Sequence, residues 1–219
     1  MKKNIFWIVG IILLIGLGIV LAIWAIPKKD NNDFLNDTIE NMKKITEYDI
    51  LMTGMFDNKE LTLSANVNKQ QKRFFDILNK TDDLELSGTY EYLFKEDEAK
   101  TVMNVYYNNE IVTSHEIPFE SKEQMSAQDS TLLLDKLVDL LANDKVKCEN
   151  KTCSYTLKNY DKNNLLLLLS LPTFGLYKDY LDSDDNLTLT YIITETTISE
   201  VTFNFTNGQS FKLTFSNFR

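Results

Sequence analysis

Glycine and proline are scarce in this 219-residue chain, seven and three residues, which excludes a collagen-like or Gly/Pro-rich disordered polymer. Histidine occurs once and cysteine twice, too few for a zinc site that needs four nitrogen or sulfur ligands. Positive charge is also short: 23 Lys and Arg stand against 32 Asp and Glu, a net charge of -9. Such a surface repels phosphate backbones, and with no basic patch interleaved with aromatics, nucleic acid is excluded as a partner. Gly-x-Ser-x-Gly, a phosphate-cradling Gly-rich loop and His-Glu-x-x-His are all missing. The common hydrolase, nucleotide and metalloprotease chemistries therefore have no foothold, and neither an enzyme nor a cofactor is expected.

Charge is missing altogether from Ile5 to Ile26. At about 1.5 Å per helical residue this run spans the roughly 30 Å hydrocarbon core of a bilayer. It is longer than the apolar region of a secretory signal, and Ala22 and Ala25 are spaced wrongly for cleavage, so a retained anchor is expected. Lys2 and Lys3 precede it and Lys28 and Lys29 follow it, which leaves the positive-inside rule nearly silent about direction. Trp7 and Trp24 suit the two interfacial belts. The expected organisation is a flank over 1–4, a transmembrane anchor over 5–26, a linker over 27–32 and one domain over 33–219.

Cys148 and Cys153 flank Glu149-Asn150-Lys151-Thr152 between two strand-like pieces, Lys145 to Lys147 and Ser154 to Leu157. Opposed residues on antiparallel strands lie about 4.5–5.5 Å apart, the Cα separation that a disulfide requires. A disulfide there implies an oxidising compartment, which places the domain on the extracytoplasmic side of the membrane.

The domain reads as α+β. A first helix is expected from Asp33 to about Tyr48, with Phe34, Leu35, Ile39, Met42 and Ile45 on one side. Alternating segments follow at Ile50 to Phe56, Leu61 to Val67, Arg73 to Leu78, Leu84 to Phe94, Ala99 to Tyr107 and Ile111 to Ile117. In the fourth, Gly88, Tyr90, Tyr92 and Phe94 face one way, and Thr89 and Glu91 the other. A helix capped near Ser126 or Asp129 carries Leu133, Leu134, Leu137, Val138 and Leu141 at helical spacing. A short helix, apolar all round, is expected from Asp161 to a stop at Pro172, and strands at Leu187 to Thr194, Ile198 to Phe205 and Phe211 to Phe215 close the chain. Asn207-Gly208 joins the last two as a hairpin.

Three features invite chemistry. His115 lies in a strand with Ile111, Thr113 and Ile117 as expected same-face neighbours and no local nucleophile or carboxylate partner, which reads as a structural or surface residue. Asp182 to Asn186 matches the start of a calcium loop, but Leu187 stands where Gly is needed and Ile193 where the bidentate Glu belongs, so a solvated acidic turn is expected and no metal. The leucine run Leu165, Leu166, Leu168 and Leu169, set against Tyr90, Tyr92 and Phe94, either packs as dry core or roofs a cavity for an apolar ligand.

The order of parts is an N-terminal helix, a long antiparallel meander, a helical insertion and a final hairpin ending Phe211-Lys212-Leu213-Thr214-Phe215-Ser216-Asn217-Phe218. It resembles the half-barrel of lipoprotein carriers and LppX-like lipoproteins over residues 33–219. The Asn/Lys/Ile-rich composition is similar to that of anchored envelope proteins of low-GC Gram-positive bacteria. The resemblance implies a curved antiparallel sheet with helices packed on one face, holding lipid chains. This chain departs in having no lipid-attachment cysteine after its apolar run. The expected function is a membrane-anchored extracytoplasmic binding protein for a lipid or other apolar ligand. The alternative is an envelope interaction or sensor module with a solid core and a protein partner.

Overall fold

The computed structural model describes residues 31–56, 59–80, 88–173 and 186–219. Helix α1 (Asn31–Lys43) leads into β1 (Glu47–Phe56), β2 (Lys59–Asn68), β3 (Arg73–Lys80), β4 (Gly88–Lys95), β5 (Lys100–Tyr107) and β6 (Glu110–Pro118). Then come α2 (Lys122–Ala127), a 3-10 turn (Ser130–Leu132), α3 (Leu133–Leu141), β7 (Lys147–Glu149), β8 (Thr152–Leu157), α4 (Asn159–Leu167), β9 (Leu187–Thr194), β10 (Thr197–Phe205) and β11 (Ser210–Ser216).

Every strand joins one antiparallel sheet in the order β6-β5-β4-β3-β2-β1-β11-β10-β9-β8-β7. Two meanders are thus sewn together down the middle, where Ile50 pairs with Phe215 and Met52 with Leu213. Several hairpins use residues that tolerate positive φ. Asn108 and Asn109 stand at φ 51° and 65°, Asn150 and Lys151 at 48° and 67°, and Gly208 at 87°, the twist that tight antiparallel connections require. At Gly54 the constraint is space, because an added Cβ would lie 2.5 Å from the Cβ of Phe211 on the neighbouring strand.

Alternate residues of the central strands are buried on one side. Ile50, Met52, Leu63, Val67, Leu189, Tyr191, Val201, Phe203, Leu213 and Phe215 are all at most 4 % exposed. What lies over that inner face follows from topology. The chain leaves the sheet at one edge, β6, and re-enters at the opposite edge, β7, so residues 119–146 must cross it. The β2–β3 turn holds this crossing at one side: Lys69 reaches Asp135 at 2.8 Å, and Lys72 reaches the buried Asp129 at 3.1 Å. On the other side the buried Tyr191 hydroxyl of β9 donates to the Leu137 carbonyl of α3 at 3.0 Å.

The sequence reading needs correction at several ends. Helix α1 stops at Lys43, and Tyr48 belongs to β1, where its ring packs 6.0 Å from that of Phe215. Ser126 caps nothing. Ser121 caps α2 by accepting from the Gln124 amide, and Asp129 caps the 3-10 turn through the Thr131 amide. Helix α4 begins at Asn159 and ends at Leu167, so Leu168 to Pro172 lie in turns and not in the apolar helix expected there. The cysteine hairpin turns on two residues, not four, because its strands run past both cysteines to Glu149 and Thr152.

Among the described residues no helix is long and apolar enough to cross a membrane. The expected anchor over residues 5–26 lies outside them, as do Leu84 to Ser87 and Asp182 to Asp185.

The inner face between β2 and β6 as a candidate site

Strand pairing converts the sequence into rows across the inner face. One row runs Phe215, Ile50, Ala65, Asp76, Tyr90, Val105 and Thr113. The next runs Tyr48, Val67, Phe74, Tyr92, Met103 and His115. Along both, burial decreases toward β6. Tyr90 and Tyr92 are buried, Val105 and Met103 half-buried, and Thr113 and His115 exposed. The roof over the β4 end includes the leucine run, since the Tyr92 hydroxyl donates to the Leu171 carbonyl at 3.2 Å.

Each residue named for an apolar ligand is packed. Leu165, Leu166, Leu168 and Leu169 are 0 to 5 % exposed, and Tyr90, Tyr92 and Phe94 are 1 to 7 % exposed. One of them, Leu168, also lines a hollow. A groove of about 660 Å³ runs between α2, α3 and α4 past Leu132 and Leu168, and one of about 380 Å³ lies on the outer face by Leu51, Phe75 and Ile77. Cys148 and Cys153 are disulfide-bonded across the β7–β8 hairpin, with Cα atoms 4.0 Å apart.

Asp76 is the residue that sequence reasoning missed. It sits on the inner face between Ala65 of β2 and Tyr90 of β4, is 0 % exposed, and no side chain among the described residues hydrogen-bonds its carboxyl oxygens. Burial pushes its carboxyl well above the usual carboxylate range. Burial likewise raises the phenols of Tyr90 and Tyr92, and the charge of Asp76 adds to the effect on both. The available signal was an acid in phase with Phe74 and Leu78. It was masked because Arg73-Phe74-Phe75-Asp76-Ile77-Leu78 carries two large apolar residues on either face.

Glu91, on the outer face of the adjacent strand, shows the opposite treatment. Its carboxylate accepts from Arg73 Nε, from Asn104 Nδ2 at 2.8 Å and from the Tyr106 hydroxyl at 2.9 Å. Ser114 supports Asn104 from behind, at 2.7 Å. Burial alone would raise the Glu91 pKa, but these hydrogen bonds and the Arg73 charge outweigh it and hold the carboxyl below its ordinary value. Every partner is engaged within the cluster, which ties β3, β4, β5 and β6 together on their outer side.

Comparison with known proteins yields no matching family model and no matching curated protein.

His115 lies beside Met103 on the inner face, but its expected neighbour Ile111 does not share that face. The register steps by one between Val105 and Tyr106, which pairs Ile111 with the outward-facing Tyr106. Such a bulge turns the side chains beyond it to the opposite side. Thr113 Oγ1 lies 3.5 Å from His115 Nε2, an exposed contact. Among the described residues no group of three or more His, Cys, Asp or Glu is arranged to hold a metal ion.

Proposed function

We propose that the chain is a non-enzymatic, membrane-anchored extracytoplasmic binding protein that takes an apolar ligand onto the inner face of its sheet at β4 to β6, beside the leucine run. The observation that carries this reading is the graded cover of that face. The rows pass from the buried Tyr90 and Tyr92 to the half-buried, apolar Met103 and Val105 and end on the exposed, polar Thr113 and His115 of β6. A solid core with no ligand closes its apolar rows, whereas an apolar surface leading out from under a roof offers an entry. The packed leucines favour a position beside the run over one beneath it.

A half-barrel curvature belongs to the same proposal. In a flat sheet β2 and β9 stand four strand spacings apart, about 19 Å. One short helix, α3, is nevertheless tied to both ends of that span through Asp135 and Leu137. A sheet bent toward the helices shortens the distance. The placement outside the cytoplasm is supported by the Cys148–Cys153 disulfide, and attachment to the lipid bilayer by the uncharged run of residues 5–26. The resemblance to lipoprotein carriers fits the single open antiparallel sheet.

The test is native mass spectrometry of the full-length chain released into mild detergent. A stoichiometric small apolar molecule is expected. Repeated absence of bound or exchangeable lipid would sink the reading.

One observation favours the second reading, a contact with an envelope protein. Edge strand β6 has no lysine, and Ile111 and Val112 are 52 % and 59 % exposed. An unprotected edge of this kind pairs readily with a partner's strand. In-cell cross-linking that returns one stoichiometric protein through β6, with no lipid in the purified chain, would select it.

A further inference from the structure

The two edges of the sheet are not alike. At one, β7 is three residues long and is pinned to β8 by the Cys148–Cys153 disulfide. At the other, β6 runs for nine residues with no lysine and no proline before its last position, two of the devices that keep an edge from pairing. Its regular part is bounded on both sides. The register step skips Val112, and Pro118, which has no N–H, closes the strand. Between them lie residues 113–117. The Phe119 amide donates to the Ala99 carbonyl, just ahead of β5, at 2.9 Å, and the backbone groups of an antiparallel strand alternate in direction. Thr113, His115 and Ile117 therefore bond toward β5. The amides and carbonyls of Ser114 and Glu116 point away from the sheet, where no described strand meets them.

We propose that β6 is the seam of a homodimer, in which two copies of this chain pair antiparallel about a two-fold axis at His115. This register sets Ser114 of each copy opposite Glu116 of the other, and each such pair exchanges two backbone hydrogen bonds. Every outward amide and carbonyl of those two residues is then used. Pro118 falls opposite Val112, so the residue with no N–H to give meets the one outside the regular ladder. Other registers do worse. An axis at Thr113 or Ser114 spends the free groups on the irregular Val112, and an axis at Glu116 sets two like charges directly opposite each other. At His115 each Glu116 faces a serine and keeps its own Lys100 at 2.8 Å. The inner face also becomes continuous, because the row Tyr92, Met103, His115 runs on into His115, Met103 and Tyr92 of the second copy. So short a seam is weak between free molecules, but two chains held in one membrane by the proposed anchor meet at high effective concentration. The seam is independent of what the inner face binds.

The experiment is cysteine cross-linking of the full-length chain in membranes of the cells that express it. Both native cysteines are already joined to each other, so one introduced cysteine is the sole free thiol. Opposed residues whose backbones turn away from each other lie about 4.5 Å apart at Cα, within disulfide reach. Under mild oxidation His115→Cys is expected to form a covalent dimer, and Thr113→Cys, opposite Ile117, and Ser114→Cys, opposite Glu116, little or none. Adding Glu116→Pro to His115→Cys removes one seam N–H from each copy and no backbone bond inside the sheet. It is expected to cut dimer formation about thirtyfold, the loss of roughly two hydrogen bonds, whereas Glu116→Gln keeps it; circular dichroism checks the fold of both. No dimer from His115→Cys, equal cross-linking at Thr113 or Ser114, an adduct with a different protein in place of the dimer, or a yield untouched by Glu116→Pro would overturn the seam and leave the ligand question where native mass spectrometry puts it.

Discussion

Replacing Asp76 by Asn tests the buried carboxyl directly, because the substitution keeps its shape and removes its titration. The folded-state pKa of Asp76 is raised by burial, so between the unfolded carboxyl value, about 3.9, and that raised value the native state holds a proton that the unfolded chain has released. Stability from this group is complete below the unfolded value and declines as pH rises toward the folded one. The slope for one such group is about 1.4 kcal/mol per pH unit. The stability of Asp76→Asn relative to wild type should therefore grow by about 1.4 kcal/mol between pH 4.5 and 5.5. Glu91 and the surface carboxylates are common to both proteins and cancel in the difference. Urea unfolding of the full-length chain in detergent, followed by circular dichroism, is the suitable assay, since both tryptophans, Trp7 and Trp24, fall in residues 5–26 and do not report on the domain. A gap that stays constant from pH 4.5 to 7 would show that Asp76 is not buried as an acid.

Glu91 should behave in the opposite sense: its pKa is lowered, so its contribution is present above the unfolded value and disappears as pH falls. Glu91→Ala, which strands Asn104 and Tyr106, should cost about 2–3 kcal/mol at pH 7 by the same urea titration. Replacing both Cys148 and Cys153 by Ser should cost about 2 kcal/mol, the small stabilisation expected from closing so short a loop, and thiol labelling of intact cells should find no free thiol in the unaltered chain. Gly54→Ala drives a Cβ against that of Phe211 and should lower stability by about 1–3 kcal/mol, measured as a shift of the urea midpoint. Carbonate washing of membranes should leave the full chain in the pellet and release a chain lacking residues 1–30; release of both would refute the anchor.

Period-two alternation made most strands legible, because a half-buried strand writes its two faces into alternate residues. Gly88 to Phe94 and Leu187 to Thr194 are clear cases. The Asn207-Gly208 turn and the facing cysteines were legible for a similar reason, as each depends on a few residues close in sequence. The pairing of β1 with β11 was not. It brings Ile50 to Phe215 across most of the chain, and nothing local marks either strand as the other's neighbour. The step that turned Ile111 outward was equally hidden, since a bulge is a property of two strands together. Helix ends were misplaced where good caps competed: Asp129 does cap, but a single 3-10 turn that precedes α3.

The two buried acids show why the candidate site was the least legible part. Asp76 and Glu91 sit one strand apart, each in a run with bulky apolar residues on either side, and by sequence either could have faced the core. Only pairing decides. Asp76 is opposite Ala65 and Tyr90 and so faces the roofed side, whereas Glu91 is opposite Phe75 and Asn104 and so faces outward. The outward acid has gathered partners from two neighbouring strands, β3 and β5, although it is the one that water could more easily have served. The inward acid, where an unmet carboxyl is most costly, has no side-chain partner among the described residues. That inversion is hard to explain as packing, since a leucine at position 76 would fill the same space with no polar group to satisfy.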